Sequence, residues 1–413
     1  MKTINEIEEK IRNGSAVVYT AAEFKRLIRE GAEVTAADVD VVTTGTWGVM
    51  SGTAAILSVP VAKPGTFERA ERIWANGVPC MPGPCPNERL GIVDMIVSGT
   101  AHAGAGYGGG HLFRDIVEGR GIEVVVEAAD RSVEATVTLD DFAYARLFTT
   151  RTAYKNYTAY VNRQPTRIKT IFSIEGLQGP CREASVSGCG EINPLENDPL
   201  GLAIGAGTPV LLNGSVGMVT GEGTRSTSER PNLTVIADMA GMQPRYMGGF
   251  KTSAGPECIT SLGAAIPVLD DRQIAGLLVL DEGIPLPVAD ITTRTVLGEG
   301  TYADVWQQPD REVTYHPGWC EECSTCAAAA VCPTGAFSRE AGIDRDRCLA
   351  CTACLFACPN DAFEAGEGSF RVRGRRIPIT LRQSGRTLAE DLCRDLKEMI
   401  LDSRFTFTGG GIR

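Results

Sequence analysis

Histidine is almost absent from the 413 residues; only His102, His111 and His316 occur. That sets aside a zinc site built mainly of imidazoles. Positive charge is scarce as well. Forty Lys and Arg stand against 51 Asp and Glu, a net charge of −11, which argues against nucleic acid or an anionic membrane surface as partner. No apolar run reaches the ~18–20 residues of a membrane helix. The opening MKTINEIEEKIRNG is charged and amphipathic, unlike a secretory leader. Low-complexity segments are missing too. With 43% hydrophobic and 22% charged residues, the composition is that of a folded globular chain, long enough for two or three domains with ample core.

Glycine and cysteine are what the chain has in excess. Gly occurs 47 times and Cys 14 times, with eight cysteines packed between Cys320 and Cys358. Close-spaced thiols on a chain of this size fit a reducing cytoplasm, with sulfur used as metal ligand or reactive group rather than as disulfide staples.

Residues 4–13 and 21–30 carry helical apolar spacing closed by Gly14 and Gly31. VDVVTT (39–44), IVDMIV (92–97) and IEVVVE (122–127) read as strands, and HLFRDIVEG (111–119) as a helix between the last two. That gives a βαβ-like rhythm. Strands then dominate: IFSI (171–174), TPVLLN (208–213), LTVIAD (233–238), AAIPVL (264–269) and GLLVL (276–280). The expected fold class is a large mixed α/β body over 1–305. A cysteine module over 306–366 and a tail over 367–413 follow it. The tail should hold two short strands and a helix over about 387–401 that Thr387 caps. Its stripe of Leu388, Leu392, Leu396, Met399 and Ile400 should dock on the body, with Cys393 beside it as a core residue.

The module reads Cys320-x2-Cys323-x2-Cys326-x5-Cys332-Pro333 and Cys348-x2-Cys351-x2-Cys354-x3-Cys358-Pro359. This doubled run resembles the bacterial two-cluster ferredoxin. The resemblance implies two [4Fe–4S] clusters, each taking its fourth thiolate from the other run. One would use Cys320, Cys323, Cys326 and Cys358, the other Cys348, Cys351, Cys354 and Cys332. Such a module moves single electrons but performs no reaction by itself. The chemistry is expected in the body.

WANGVP (74–79), YGGGH (107–111), RTAYKNYTAYVN (151–162) and the INPLENDP stretch (192–199) resemble the archaeal homocysteine-biosynthesis family. Its characterised activity is L-aspartate semialdehyde sulfurtransferase. The whole chain looks like the ferredoxin-fused branch called methanogenesis marker 16 metalloprotein, which is linked to the last step of coenzyme M biosynthesis. The resemblance implies an aldehyde-to-thiol conversion: an aldehyde, hydrogen sulfide, two electrons and two protons give water and the thiol of the same carbon skeleton. By the same resemblance two body cysteines matter in the semialdehyde enzymes. Here Ser51 stands near the first place, and Asp130 and Arg131 at the second, so neither carries a thiol.

The body has other thiols. Cys80 and Cys85 lie in PCMPGPCPN, Cys181 and Cys189 in GPCREASVSGCGE, and Cys258 in GPECITS. The first four sit in Gly/Pro-rich segments read as accessible loops. They could hold a third iron–sulfur cluster or other metal, or carry a persulfide; the sequence leaves both open. For an anionic aldehyde such as sulfoacetaldehyde, the amides of Gly108, Gly109 and Gly110 at a helix start, together with Arg151 and Lys155, are the expected holders. His111 could polarise the carbonyl or donate a proton. Gly104, Gly106 and Gly109 also match G-x-G-x-x-G, but six residues separate Val97 from Gly104, too many for a dinucleotide turn. The reading is a cytoplasmic iron–sulfur enzyme for reductive sulfur incorporation, most concretely sulfoacetaldehyde to coenzyme M. It needs a sulfide or persulfide donor and a low-potential electron donor, and involves neither nucleic acid nor membrane. L-Aspartate semialdehyde to homocysteine is the alternative, and a non-catalytic electron-transfer or cluster-delivery subunit a third.

Overall fold

A computed structural model describes residues 1–83, 89–306 and 312–407. The fold is mixed α/β, dominated by two sheets. Two helices open the chain, Ile4–Arg12 and Ala21–Arg29. Thr3 with Glu6, and Thr20 with Glu23, form capping boxes that satisfy their first amides.

The larger sheet has 14 strands among the described residues. Near one end of it, Val41–Val49 pairs with Gly255–Pro267 over nine antiparallel residue pairs. Both strands are buried along almost their whole length, and so are covered on both faces. Asn76-Gly77 and Asn213-Gly214 both have positive φ. They close two-residue hairpins between Ala70–Ala75 and Val78–Pro82, and between Pro209–Leu212 and Ser215–Glu222.

The expected βαβ rhythm is not a parallel unit. Val78–Pro82 and Ala70–Ala75 stand between Ile92–Ser98 and Ile122–Ala128, and every one of those pairings is antiparallel. The intervening helix Gly109–Val117 packs on Gly248–Thr252 and Gly255–Pro267 instead. Two strand expectations also fail. IFSI (171–174) is irregular. GLLVL (276–280) overlaps the helix Asp271–Leu277, which the Asp270–Gln273 capping box starts. A short apolar run cannot by itself distinguish strand from helix.

The second sheet runs Val296–Thr301, Pro285–Asp290, Ala159–Val161, Ala184–Val186, Arg375–Arg382, Ser369–Val372. Its apolar layer includes Val161, Val186, Val288, Trp306, Phe370 and Ile379. Past Arg382 the chain becomes a strap between the sheets. Gln383 N–H donates to Val186 O at 2.8 Å, and Val49 N–H donates to Gln383 O at 2.9 Å.

The strap leads into the helix Arg386–Leu401, which begins after Gly385; Thr387 lies inside the first turn and is not the cap. Leu392, Leu396 and Ile400 are fully buried against Val41–Val49 and Gly255–Pro267. A side chain at Gly45 would meet Ala389 O at 2.7 Å and Cys393 Sγ at 2.8 Å. Gly263, its cross-strand partner, faces Leu392. Two glycines thus let the helix approach the sheet backbone closely. Thr43 Oγ1 fixes it with a 2.8 Å bond to Cys393 O.

Candidate functional site

The strands end around a cavity of ≈ 610 Å³ between the two sheets, within the size range of small-molecule sites. The large sheet supplies Met50, Ser51, Arg151 and Glu257. The second lobe and the strap supply Tyr157, Tyr160, Ser187, Arg294 and Gln383, and a polar loop adds Arg225 and Arg230.

Four arginines line this space, and none is ion-paired among the described residues. Arg151 is half-buried, while Arg225, Arg230 and Arg294 stand exposed at the mouth. Arg230 Nη2 donates to Thr158 Oγ1 at 3.1 Å, and Arg294 stacks 4.5 Å over the Tyr160 ring. Glu257 is the acid facing them, with 6% of its surface exposed. The Ser51 side chain lies beside it, and its Oε2 has no partner among the described residues. Burial raises its pKa, against the opposing pull of Ser51 and Arg151. The site therefore combines cationic binding with a carboxyl disposed to keep its proton.

The cysteines expected as accessible loop thiols lie elsewhere. Cys80 is a buried residue on the strand Val78–Pro82, and burial pushes its thiol up to about 12. Cys189 is fully buried, with Thr46 Oγ1, Trp47 O and Gly385 O at 3.6, 3.7 and 3.8 Å from its sulfur, and burial raises its pKa. Cys181 is half-buried at φ +48°, with its N–H donating to Asn162 O at 2.7 Å. No hydrogen bond links any two of these three among the described residues, and Cys181 packs in a different apolar cluster from Cys80 and Cys189. Nor do any three Cys, His, Asp or Glu side chains there converge on one ion. The expectation of a shared centre is thus corrected for Cys80, Cys181 and Cys189. Cys85 lies outside the described residues. Cys258 is buried beside Glu257, where Gly99 and Gly110 press on it.

The glycine cradle is also corrected. Gly109 N–H donates to Ala101 O at 2.7 Å, Gly110 N–H to Gly99 O at 3.1 Å, and Gly108 N–H to His111 Nδ1 at 3.2 Å. These amides are spent inside the protein. A Cβ at Gly109 would fall 2.1 Å from Ser98 O, so close packing explains the glycine. Gly104 lies in an exposed hairpin with Tyr107. His111 stacks on Tyr107 at 5.5 Å and lines a separate pocket of ≈ 200 Å³ with Trp47, Arg347 and Thr334. Burial pulls its pKa down to about 4. Of the expected substrate holders, Arg151 alone lines the large cavity; Lys155 does not. Ser51 lines it, while Asp130 and Arg131 lie at an exposed turn. Sequence reasoning missed Glu257, Arg225, Arg230 and Arg294. A lone carboxylate opening the long apolar strand ECITSLGAAIP was the available signal for the first.

The cysteine module forms two sulfur sets. Cys320, Cys323, Cys326 and Cys358 line one cleft with Tyr315 and Phe337. Cys332 interacts electrostatically with Cys348, Cys351 and Cys354. The five residues after Cys326 make the short helix Ala327–Val331, which absorbs the longer spacing. Ala336 N–H donates to Cys332 Sγ at 3.2 Å and Asn360 Nδ2 to Cys323 Sγ at 3.5 Å. Burial, with the neighbouring Cys348 and Cys332, drives Cys354 up to about 12. Four thiols in each set, three from one run and the fourth from the other, match the donor set of a [4Fe–4S] core.

Comparison with known proteins gives the family. The family model described as "Homocysteine biosynthesis enzyme, sulfur-incorporation" matches residues 16–407. The chain belongs to that family. A relative from Methanothermobacter thermautotrophicus, named as an uncharacterized protein, is 46% identical over 97% of this chain and 94% of its own length. The L-aspartate semialdehyde sulfurtransferase of Methanocaldococcus jannaschii is 32% identical over 70% of this chain and 58% of its own length. Electron transport protein HydN of Escherichia coli matches 11% of this chain and 27% of its own length at 42% identity. No solved structure is significantly similar. No helix among the described residues is long and apolar enough to cross a membrane.

Proposed function

We propose that the chain is a cytoplasmic iron–sulfur enzyme that incorporates sulfur reductively into a small anionic aldehyde, with sulfoacetaldehyde to coenzyme M as the concrete reaction. One observation carries the choice of substrate class. Four arginines without ion pairs among the described residues surround a cavity whose facing carboxyl, Glu257, is held toward its neutral form. A sulfonate suits that balance better than the zwitterionic L-aspartate semialdehyde, whose ammonium wants an ionised partner. The second reading, homocysteine from the semialdehyde, draws support from the 32% identical relative.

Arg225, Arg230 and Arg294 draw the anion to the mouth, and Arg151 holds it within reach of Ser51 and Glu257. The protonated Glu257 carboxyl gives its proton to the carbonyl oxygen as that oxygen leaves as water, and Ser51 orients the carboxyl. No cysteine lines the cavity among the described residues. The sulfur therefore enters as sulfide or from an external persulfide donor. Cys320, Cys323, Cys326 and Cys358 hold one [4Fe–4S] cluster and Cys332, Cys348, Cys351 and Cys354 the other. When bound, they supply single electrons received from a low-potential donor.

The test is anaerobic turnover of the full chain with sulfide and dithionite, offered each aldehyde in turn. Thiol from sulfoacetaldehyde is expected. Thiol from the semialdehyde alone would replace the substrate, and thiol from neither would remove the enzymatic reading.

A further inference from the structure

The strap that borders the cavity also touches the cysteine module. Arg382 N–H donates to Cys351 O at 3.1 Å. The next residue, Gln383, lines the cavity. Of the two sulfur sets, the one containing Cys351 thus sits against the body. Cys351 and its neighbour Leu349 pack into the main hydrophobic core. Lys251 N–H reaches Pro333 O, beside Cys332, at 2.8 Å.

Arg382 is an unusual residue to find there. It is 2% exposed. Its Nη2 donates to Val305 O at 2.8 Å and to Gly366 O at 2.6 Å, and its guanidinium lies 5.2 Å from the Trp306 ring centre. Its Nε has no partner, and no carboxylate pairs with it among the described residues. A buried cation held only by neutral groups is costly unless an anion lies nearby. The charge that Arg382 does feel is that of Cys351. A cube ligated by four thiolates is net negative and becomes more so on reduction, so an unscreened guanidinium favours the reduced form. The outer set is treated differently. Its arginine, Arg339, donates to Cys323 O at 2.6 Å and acts on Cys320 and Cys326, but it is only half-buried where Arg382 is buried; an acid stands by each set, Glu322 by Cys320 and Glu312 by Cys348. The acids act on both sets, so the difference lies in the arginines: solvent screens Arg339 and does not screen Arg382.

We propose that Arg382 is a positioning residue that raises the reduction potential of the inner set, Cys332, Cys348, Cys351 and Cys354, above that of the outer set, so that electrons run toward the cavity. Each electron comes from an external one-electron donor of low potential, which is oxidised in the exchange. The inference rests on the reading that both sets hold clusters.

The experiment is a redox titration of the anaerobic full-length holoprotein followed by electron paramagnetic resonance. The native protein should show two separate one-electron steps. Arg382→Gln should lower the higher step at least tenfold in its reduction equilibrium constant, about 59 mV for one electron, and leave the lower step in place. Arg382→Lys should keep most of the separation, and Arg339→Gln should leave the higher step unmoved. Arg382→Gln shifting neither step, or both equally, would overturn the proposal. If that variant loses its iron, Arg382→Lys decides: a retained separation supports the proposal and a collapsed one defeats it. A native count well short of about eight irons would bring down the cluster reading and this inference with it. Eight irons with unmoved potentials would bring down this inference alone.

Discussion

Ser51 and the buried carboxyl of Glu257 stand side by side at the strand ends that frame the cavity. The serine stands where the resemblance to the semialdehyde enzymes places a thiol. A hydroxyl there gives up nucleophilic sulfur and gains a partner that holds an acid in place.

Glu257→Gln should lower kcat about 10²–10³-fold, the scale of general-acid catalysis, with a smaller change in KM. The native rate should fall as pH rises through the raised Glu257 pKa, because the protonated form is the active one. That basic limb should vanish in the glutamine variant. A pH–rate series on both proteins checks it.

Arg151→Met should raise KM for a sulfonated aldehyde about 10–100-fold, the loss of one charge-assisted bond of about 1.5–3 kcal/mol. Arg225→Gln and Arg230→Gln, both exposed, should act more weakly and mainly on the association rate. Their effect should shrink as salt rises. Steady-state kinetics at two ionic strengths separates the two kinds of arginine.

His111 makes stability pH-dependent. Its folded pKa is lowered from 6.5 to about 4, so between those values the unfolded chain binds the proton and the folded one does not. Stability is therefore whole above the unfolded value and lost as pH falls toward 4, by up to about 3 kcal/mol. His111→Gln should flatten that window in denaturant unfolding curves, whatever its own effect at neutral pH.

Gly45→Ala should cost about 1–3 kcal/mol, because the added carbon meets the backbone oxygen of Ala389 at 2.7 Å. The melting temperature reports it. Gly104→Ala, in a hairpin with nothing within 4 Å, should change little.

What could be read in the sequence was what repeats locally. Eight cysteines in doubled order sort into two sets because their spacing is itself the ligand geometry. The leucine stripe of the last helix shows its buried face for the same reason. Strand order is not local, and so the segment around His111 suggested βαβ while hairpins fill the space between its strands. Cys80 read as a loop thiol because Pro79, Pro82 and Pro84 surround it in sequence. Its strand places alternate residues inward, and the thiol goes with them. Arg225 and Arg230 lie in one polar loop and Arg294 in another, with no common spacing. They meet only because the second sheet folds against the first.

Short anchors at Val331, Pro333, Leu349 and Cys351 bind the cysteine module to the body, which makes it a fixture and not a tethered shuttle. Current reaching the cavity from within one molecule should then be indifferent to solvent viscosity and to protein concentration, leaving the encounter with the outside donor as the sole diffusive event.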